Sequence, residues 1–457
     1  MEHVVYVISD LHLGPGWLPD GRTDPLEDFT SDEALIHFLD HIGTQGYLVE
    51  LVIAGDFLEF CQTLPEIGLA SPEDSLGSTE SESLRRARVI LGYEPQISSG
   101  HPRVFTALRR FMMEGHSITI IAGNHDIDLL WKKVWALVFD TIYPPGAWGD
   151  LRLVNYSHTV GDGTQGRVFI EHGHEYDRAN RFGDMMSRPF GVDNLGMQRL
   201  KRCWGTLFVD KVFNQLERER WFIDNVKPIM RVIQLGLRND FIFTATAIAL
   251  VVRFLMVSGL PPLILGGIEE SEATPPDLDA LADSIADPAL QAAVRAHLAD
   301  PAARAEFERV IDEADPTQLA MVAYSELASM SLEEVTTEPD DEIVVLGGGR
   351  SEDAYRRAAR AIVMADPTLS TVLMGHTHTK IDGNEHPISL PDGRQCAYFN
   401  SGTWTRHLID DGAQSYSWQE IGDENNYTTL FSYIKLDPDG KGGYVPSLHS
   451  WFHEEQA

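Results

Sequence analysis

The feature that most constrains this chain is a repeated kind of strand ending. Residues 118–122, Ile-Thr-Ile-Ile-Ala, form an apolar run that stops in Gly123, Asn124, His125 and Asp126. Four more stretches end in the same manner. They are Asp10-Leu11-His12, Gly55-Asp56-Phe57-Leu58-Glu59, His172-Gly173-His174 and Gly375-His376-Thr377-His378. Each lies at or just past the C-terminal end of an apolar, strand-like run. In an α/β sheet those ends line one edge, where ligands bind, so residues far apart in sequence are expected to meet there.

The surrounding pattern supports such a sheet. Strand candidates cover 4–9, 48–55, 117–123 and 167–171, alternating with helical periodicity. One helix is predicted around residues 30–43, with Leu35, Phe38, Leu39 and Ile42 on one face. Thr30 and Glu33 have the spacing of a capping box, and Gly43 that of a stop. A second helix is predicted over 102–114, with Pro102 near its start and Gly115 after it. Residues 62–100, rich in Ser, Glu and Gly, read as a surface excursion with one short helix near 80–91. From 178 to 350 the pattern is helical. A helix at 351–365 then leads to a strand at 370–375, and "CAYFNSGTW" and "TTLFSYIKL" read as the last strands. Strands alternating with helices predict an α/β fold built from βαβ units. The predicted organisation is a core in two parts, 1–177 and 351–457, split by a helical insertion at 178–350. No internal repeat is visible.

Composition narrows the function classes. Of 457 residues, 36 are basic and 69 acidic, for a net charge of −33. Such a surface repels phosphate backbones and argues against general nucleic-acid binding. A local cation centre would still attract anions. The three cysteines, Cys61, Cys203 and Cys396, are too scattered for a disulfide framework or a thiolate zinc site. They fit a reducing compartment, and the start of the chain carries no signal-peptide pattern. The stretch 241–260 holds one charge, Arg253, and is long enough to span a membrane. A single span would put the two halves of the motif set on opposite sides. The segment therefore reads as either a buried helix of the insertion or an element dipping into one leaflet.

The chemistry lies in the donor types. Asp, His and Asn without thiolate suit Mn²⁺, Fe, Zn²⁺ or Mg²⁺. Asp56, leaving a buried strand, is suited to bridging two cations, which about 3.5–4 Å apart can activate a hydroxide and clamp a phosphoryl group. Any one of the stretches alone could be an ordinary turn. The five together point to one shared site.

The set D-x-H, G-D-x-x-E, G-N-H-D, H-G-H and G-H-T-H resembles the calcineurin-like metallophosphoesterases, over the motif-bearing parts of 1–177 and 351–410. The resemblance implies an α/β/β/α sandwich and a binuclear centre, with Mn²⁺ the first expectation. It assigns Asp10, His12, Asp56 and His378 to one metal, and Asp56, Asn124, His172 and His376 to the other. His125 would act on the phosphate and leaving oxygen. His174 would be a pocket residue or an alternative ligand to His172, and Glu59 and Asp126 would orient ligands. Asp177 and Arg178 would border the pocket or form a surface ion pair. The implied activity is hydrolysis of a phosphate mono-, di- or pyrophosphate ester by a bridging hydroxide. The style of the motifs is similar to that of UDP-2,3-diacylglucosamine hydrolases, which act on a lipid pyrophosphate. The chain departs from that branch in its larger insertion and in carrying His125 where the branch often has Arg. The expected substrate is a phosphorylated small molecule or a lipid-linked phosphoester, met in the cytoplasm or at the inner membrane face through 241–260. No protein partner is predicted. A non-catalytic binding protein on the same fold is the competing class.

Overall fold

The computed structural model describes residues 3–65, 76–177, 179–227, 229–240, 351–409 and 416–451, with a few isolated positions between 243 and 304. The strands are β1 (Val4–Ile8), β2 (Val49–Ala54), β3 (Ser117–Ile121), β4 (Leu151–Val154), β5 (Ser157–Val160), β6 (Arg167–Glu171), β7 (Phe190–Val192), β8 (Gln198–Leu200), β9 (Val226–Lys227), β10 (Leu369–Met374), β11 (Lys380–Ile381), β12 (Ile388–Ser389), β13 (Gln395–Ser401), β14 (Leu408–Ile409), β15 (Ser432–Pro438) and β16 (Tyr444–Ser450). The helices are α1 (Asp32–Gly43), α2 (Glu80–Ile90), α3 (Pro102–Met113), α4 (Lys132–Ile142), α5 (Trp204–Phe208), α6 (Asn214–Glu219), α7 (Ile229–Asn239), α8 (Ser351–Ala365) and α9 (Trp418–Ile421).

Two mixed sheets dominate. The first has the order β16-β15-β1-β2-β3-β4, and β1 to β4 run parallel. In the second, β11-β13-β10-β6-β5, the central strands β13, β10 and β6 are parallel. Alternation along each strand decides what packs where. Val5, Val7, Val52, Ala54 and Ile121 of the first sheet meet Val168, Ile170, Leu373 and Phe399 of the second in one buried cluster. The opposite residues, Tyr6, Ile8, Leu51, Ile53, Ile118 and Ile120, pack under α1, α3 and α4. On the outer face of the second sheet, Val372, Met374 and Tyr398 pack under Tyr355, Ala359 and Val363 of α8. The result is a mixed α/β sandwich, two sheets face to face with helices outside.

Several local expectations need correction. Thr30 and Glu33 do not form a capping box: α1 starts one residue late, Ser31 is its N-cap with no side-chain cap bond, and Glu33 pairs with Arg103 of α3. The capping box of this region is Thr79 with Glu82, on α2. Gly43 does not stop α1 but belongs to it, because Thr44 N–H still bonds Asp40. The part of 62–100 that is described, apart from 66–75, is no surface excursion. Ala87, Val89, Ile90 and Leu91 are buried, and the polar residues there are bonded internally, as in Ser83 to Asp128. After residue 178 the chain is not purely helical: β7 and β8 form a hairpin, and β9 pairs with β14. The last predicted strand is shifted to 432–438, and β4, β5 and β16 went unpredicted because they are short or half polar. The three thiols are free and buried. Among the described residues no helix is long and apolar enough to cross a membrane. Most of 241–260 lies outside those residues, but Phe243 is buried against a cluster with Phe222 and Leu235.

Phe38 is fully buried and touches the rings of Tyr6, Trp404, Tyr433 and Trp451. Phe38→Ala should lower unfolding stability by about 3–5 kcal/mol. The 69% exposed Met113 should tolerate Ala within about 0.5 kcal/mol. Urea denaturation followed by circular dichroism checks both.

Candidate metal centre

The parallel strands of the two sheets deliver their C-terminal ends to one edge, and all seven predicted metal ligands meet there. Asp10, His12 and His378 offer ligand atoms within 4.8 Å of one another, and so do Asp56, His172 and His376. Asn124 Oδ1 lies 3.1 Å from His172 Nε2. The two groups adjoin through Asp56, whose Oδ2 is 3.0 Å from His172 Nε2 and 3.7 Å from His12 Nε2.

The backbone here is held in uncommon conformations. Among the described residues seven non-glycine residues have left-handed φ, and five of them are Asp10, His12, Asp56, His376 and His378. Each costs of order 1–3 kcal/mol and persists only where the surroundings impose it, which is typical of functional sites. Two glycines make room for the ligands. A Cβ on Gly55, itself at φ +90°, would collide with the His172 ring, and one on Gly123 would collide with the Asp56 carboxylate.

Hydrogen bonds outside the ligands fix which atoms face inward. His172 Nδ1 donates to Ala54 O at 2.9 Å. In the neutral ring Nε2 then presents a lone pair to Asp56 Oδ2 and Asn124 Oδ1. Asn124 Nδ2 donates to Asn180 Oδ1 at 3.3 Å, which turns the amide oxygen toward His172. With the His172 ring neutral, three acceptors converge here with no hydrogen between them. His12 repeats the arrangement: Nδ1 binds Glu59 Oε2 at 2.8 Å, and Nε2 stands 3.2 Å from His378 Nε2. Converging lone pairs need a positive charge, either extra protons or cations, and a ligand histidine anchored through its other nitrogen is the usual support of a metal site. The donor set fits divalent cations of the harder, oxygen- and nitrogen-preferring kind.

Electrostatics agrees. Burial alone would raise Asp56, but the charges of His172 and His125 outweigh it and hold the carboxyl well below its ordinary range. Asp10 is held at about 2, where the bond to His378 overcomes burial. Burial would lower His12 and His172, yet Glu59 and Asp56 hold His12, and Asp56 holds His172, up at about 9. His378, deeply desolvated, is pulled down to about 4.

The supporting residues divide as follows. Glu59 accepts from His12 Nδ1 and, at 2.6 Å, from His125 Nδ1, while its other oxygen accepts from Cys61 and Gln62 N–H. It orients two imidazoles. Asp126 accepts from Gly123 N–H and from Phe57 and Leu58 N–H, tying the ends of β2 and β3 together. Burial and the neighbouring Asp56 charge push it up to about 7. His125 stays partly exposed, and its N–H donates to Asp56 Oδ1 at 2.9 Å. His174 joins neither ligand group. Its ring is buried with both nitrogens lacking hydrogen bonds, and desolvation lowers it to about 4. Asp177 Oδ2 lies 3.2 Å from His376 Nε2, and Arg178 lies outside the described residues. Sequence reasoning missed Ser9, which donates to Asp10 Oδ2 and touches Ser401, and Asn180 and Thr403, which hold Asn124 and the Asp10 carbonyl. These are common polar residues with no spacing that marks them. No protein-family model matches the chain, and no curated protein matches it.

Because His12 and His172 carry protons near neutral pH without a cation, binding one must expel them. Mn²⁺ uptake at pH 7.5 should release protons, and apparent affinity should rise with pH until about 9 and then level. Titration calorimetry in buffers of different ionisation enthalpy reads this, and heats independent of buffer would count against it. Gly123→Ala should weaken Mn²⁺ binding at least tenfold by displacing Asp56, measured by equilibrium dialysis.

Proposed function

We propose that the chain is a metal-dependent phosphoester hydrolase of the calcineurin-like kind, with two divalent cations, Mn²⁺ foremost. One observation carries the reading: Asp56 Oδ2, Asn124 Oδ1 and His172 Nε2 converge as lone-pair donors beside Asp10, His12 and His378, with the tautomers fixed from outside. Asp10, His12, Asp56 and His378 would hold one cation, and Asp56, Asn124, His172 and His376 the other. Such cations supply Lewis acidity and a nucleophile at neutral pH.

The rest of the work falls to side chains. Glu59 accepts a hydrogen bond from His125 Nδ1–H, which leaves Nε2 as the working atom of that ring. Burial opposes protonation of His125, but the charges of Glu59 and Asp56 raise its pKa above the ordinary value. A protonated imidazole beside the centre can stabilise phosphoryl charge and hand a proton to the leaving oxygen. Asn124 contributes a neutral oxygen, which limits the negative charge repelling a phosphate.

With Mn²⁺ the chain should hydrolyse p-nitrophenyl phosphate or its bis-ester, and Asp56→Asn should abolish the turnover. His125→Ala should keep its metal content but lose about 10²–10⁴ in rate. Asn124→Ala should instead need more Mn²⁺ for half-maximal rate. No metal-dependent turnover on either ester would favour a binding protein, and a His125→Ala chain that loses its metal would contradict this division of roles.

A further inference from the structure

A second group of carboxylates stands apart from the motif loops. Asp28, Glu217 of α6 and Asp224 each offer an oxygen within 4.8 Å of the other two. Asp28 and Glu217 are buried and Asp224 is half-buried, which leaves one open side. Among the described residues none of the three forms an ion pair with Lys or Arg. Two cations act on Asp224 through space without pairing with it: Arg406, which lies over the Trp221 ring and pairs with Glu424, and Lys227. The neutral donors present are few. Asn225 Nδ2 donates to Asp28 at 2.7 Å and to Asp224 at 3.0 Å, and Gln62 Nε2 donates to Glu217 Oε2 at 2.6 Å.

The other oxygen of Glu217 decides the matter. Glu217 Oε1 is fully buried and has no hydrogen-bond partner. Asn214 Oδ1, one turn earlier on the same side of α6, is likewise buried and unbonded. A proton shared between Asp28 and Asp224 would relieve that pair alone, and Glu217 would need a second proton of its own. A cation satisfies all three carboxylates at once. Oxygen-only donors select a hard cation over a soft one.

We propose that Asp28, Glu217 and Asp224 bind a hard divalent cation of the Ca²⁺ type, separate from the candidate metal centre. The cation joins the loop before α1 to two neighbouring pieces of chain, α6 and the turn before β9. Its neighbours reach the other centre, since Gln62 bonds both Glu217 and, through its N–H, Glu59. Asn214 Nδ2 also bonds Cys61 O at 2.9 Å. The cation thereby pins α6 onto the loop that carries Glu59.

The test uses the full chain with Asp56→Asn, so that a failed phosphoesterase reading does not decide the outcome. After EDTA treatment and desalting, Ca²⁺ binding is measured by equilibrium dialysis with elemental analysis, and melting with and without Ca²⁺ by circular dichroism. One Ca²⁺ per chain and a raised melting temperature are expected. Adding Glu217→Gln, or separately Asp28→Asn, should weaken binding at least tenfold and remove the thermal shift. Unchanged binding in either folded variant overturns the site. So does absence of Ca²⁺ binding in the Asp56→Asn chain itself, a result that needs no further variant and would leave protons as the counter-charge.

Discussion

The architecture depends on two sheets being held in register at one edge. Their apolar faces supply the adhesion, but burial is non-directional and would tolerate sliding. The edge bonds remove that freedom. His172, at the end of β6 in the second sheet, donates Nδ1–H to Ala54 O at the end of β2 in the first. Asp10, after β1, accepts the His376 N–H that follows β10. Both bonds use atoms of candidate ligands. The same contacts that align the sheets therefore align the two halves of the centre, and a shift of one sheet would dismantle both.

This coupling also accounts for the cost of the site. Five left-handed residues, several buried carboxylates and a row of imidazoles are individually unfavourable. They are tolerated because each is bound from behind: Asp10 by Ser9 and Thr403, His12 and His125 by Glu59, Asp56 by the His125 N–H, Asn124 by Asn180. Negative charge concentrated in this way holds protons on His12 and His172 when no cation is present. Folding thus creates groups of donors that could hold a metal ion in place of those protons.

Much of the site was legible in the sequence, because its residues obey a topological rule: polar donors placed immediately after parallel strands must share an edge. That rule marked the stretches holding Asp10, Asp56, Asn124, His172 and His376, while the assignment of single ligands, including His172 over His174, came from the resemblance. The supporting layer was not legible. Ser9, Asn180 and Thr403 act through single hydrogen bonds, and nothing in their spacing distinguishes them from other small polar residues. The fold was legible in its central strands, where both faces are buried and the runs are continuous. It failed at β4, β5 and β16, whose half-exposed residues carry no run, and periodicity left the choice between one sheet and two to the resemblance, which implied a sandwich. That choice depends on which alternate residues face one another across the core, as Val7 and Leu373 do, and periodicity within a strand cannot report it. The Thr30–Glu33 box failed for a related reason. A long-range partner, Arg103, took the glutamate that the local pattern had assigned to the cap.

The position of His125 shows how the same sequence motif separates two tasks. Asn124, His125 and Asp126 are consecutive, yet they point to three different surroundings. Asn124 faces His172 across the ligand cluster, Asp126 turns back to the N–H groups of Gly123 and Phe57, and His125 is left half-open and bound to Glu59. A regular strand would have alternated them between two faces. The chain avoids this by leaving β3 at Ile121, so that the three residues lie on a turn, where successive side chains diverge. The turn, held by its own third residue, is what lets one residue face the ligand cluster, the next stay partly open beside it and the last secure the backbone of both.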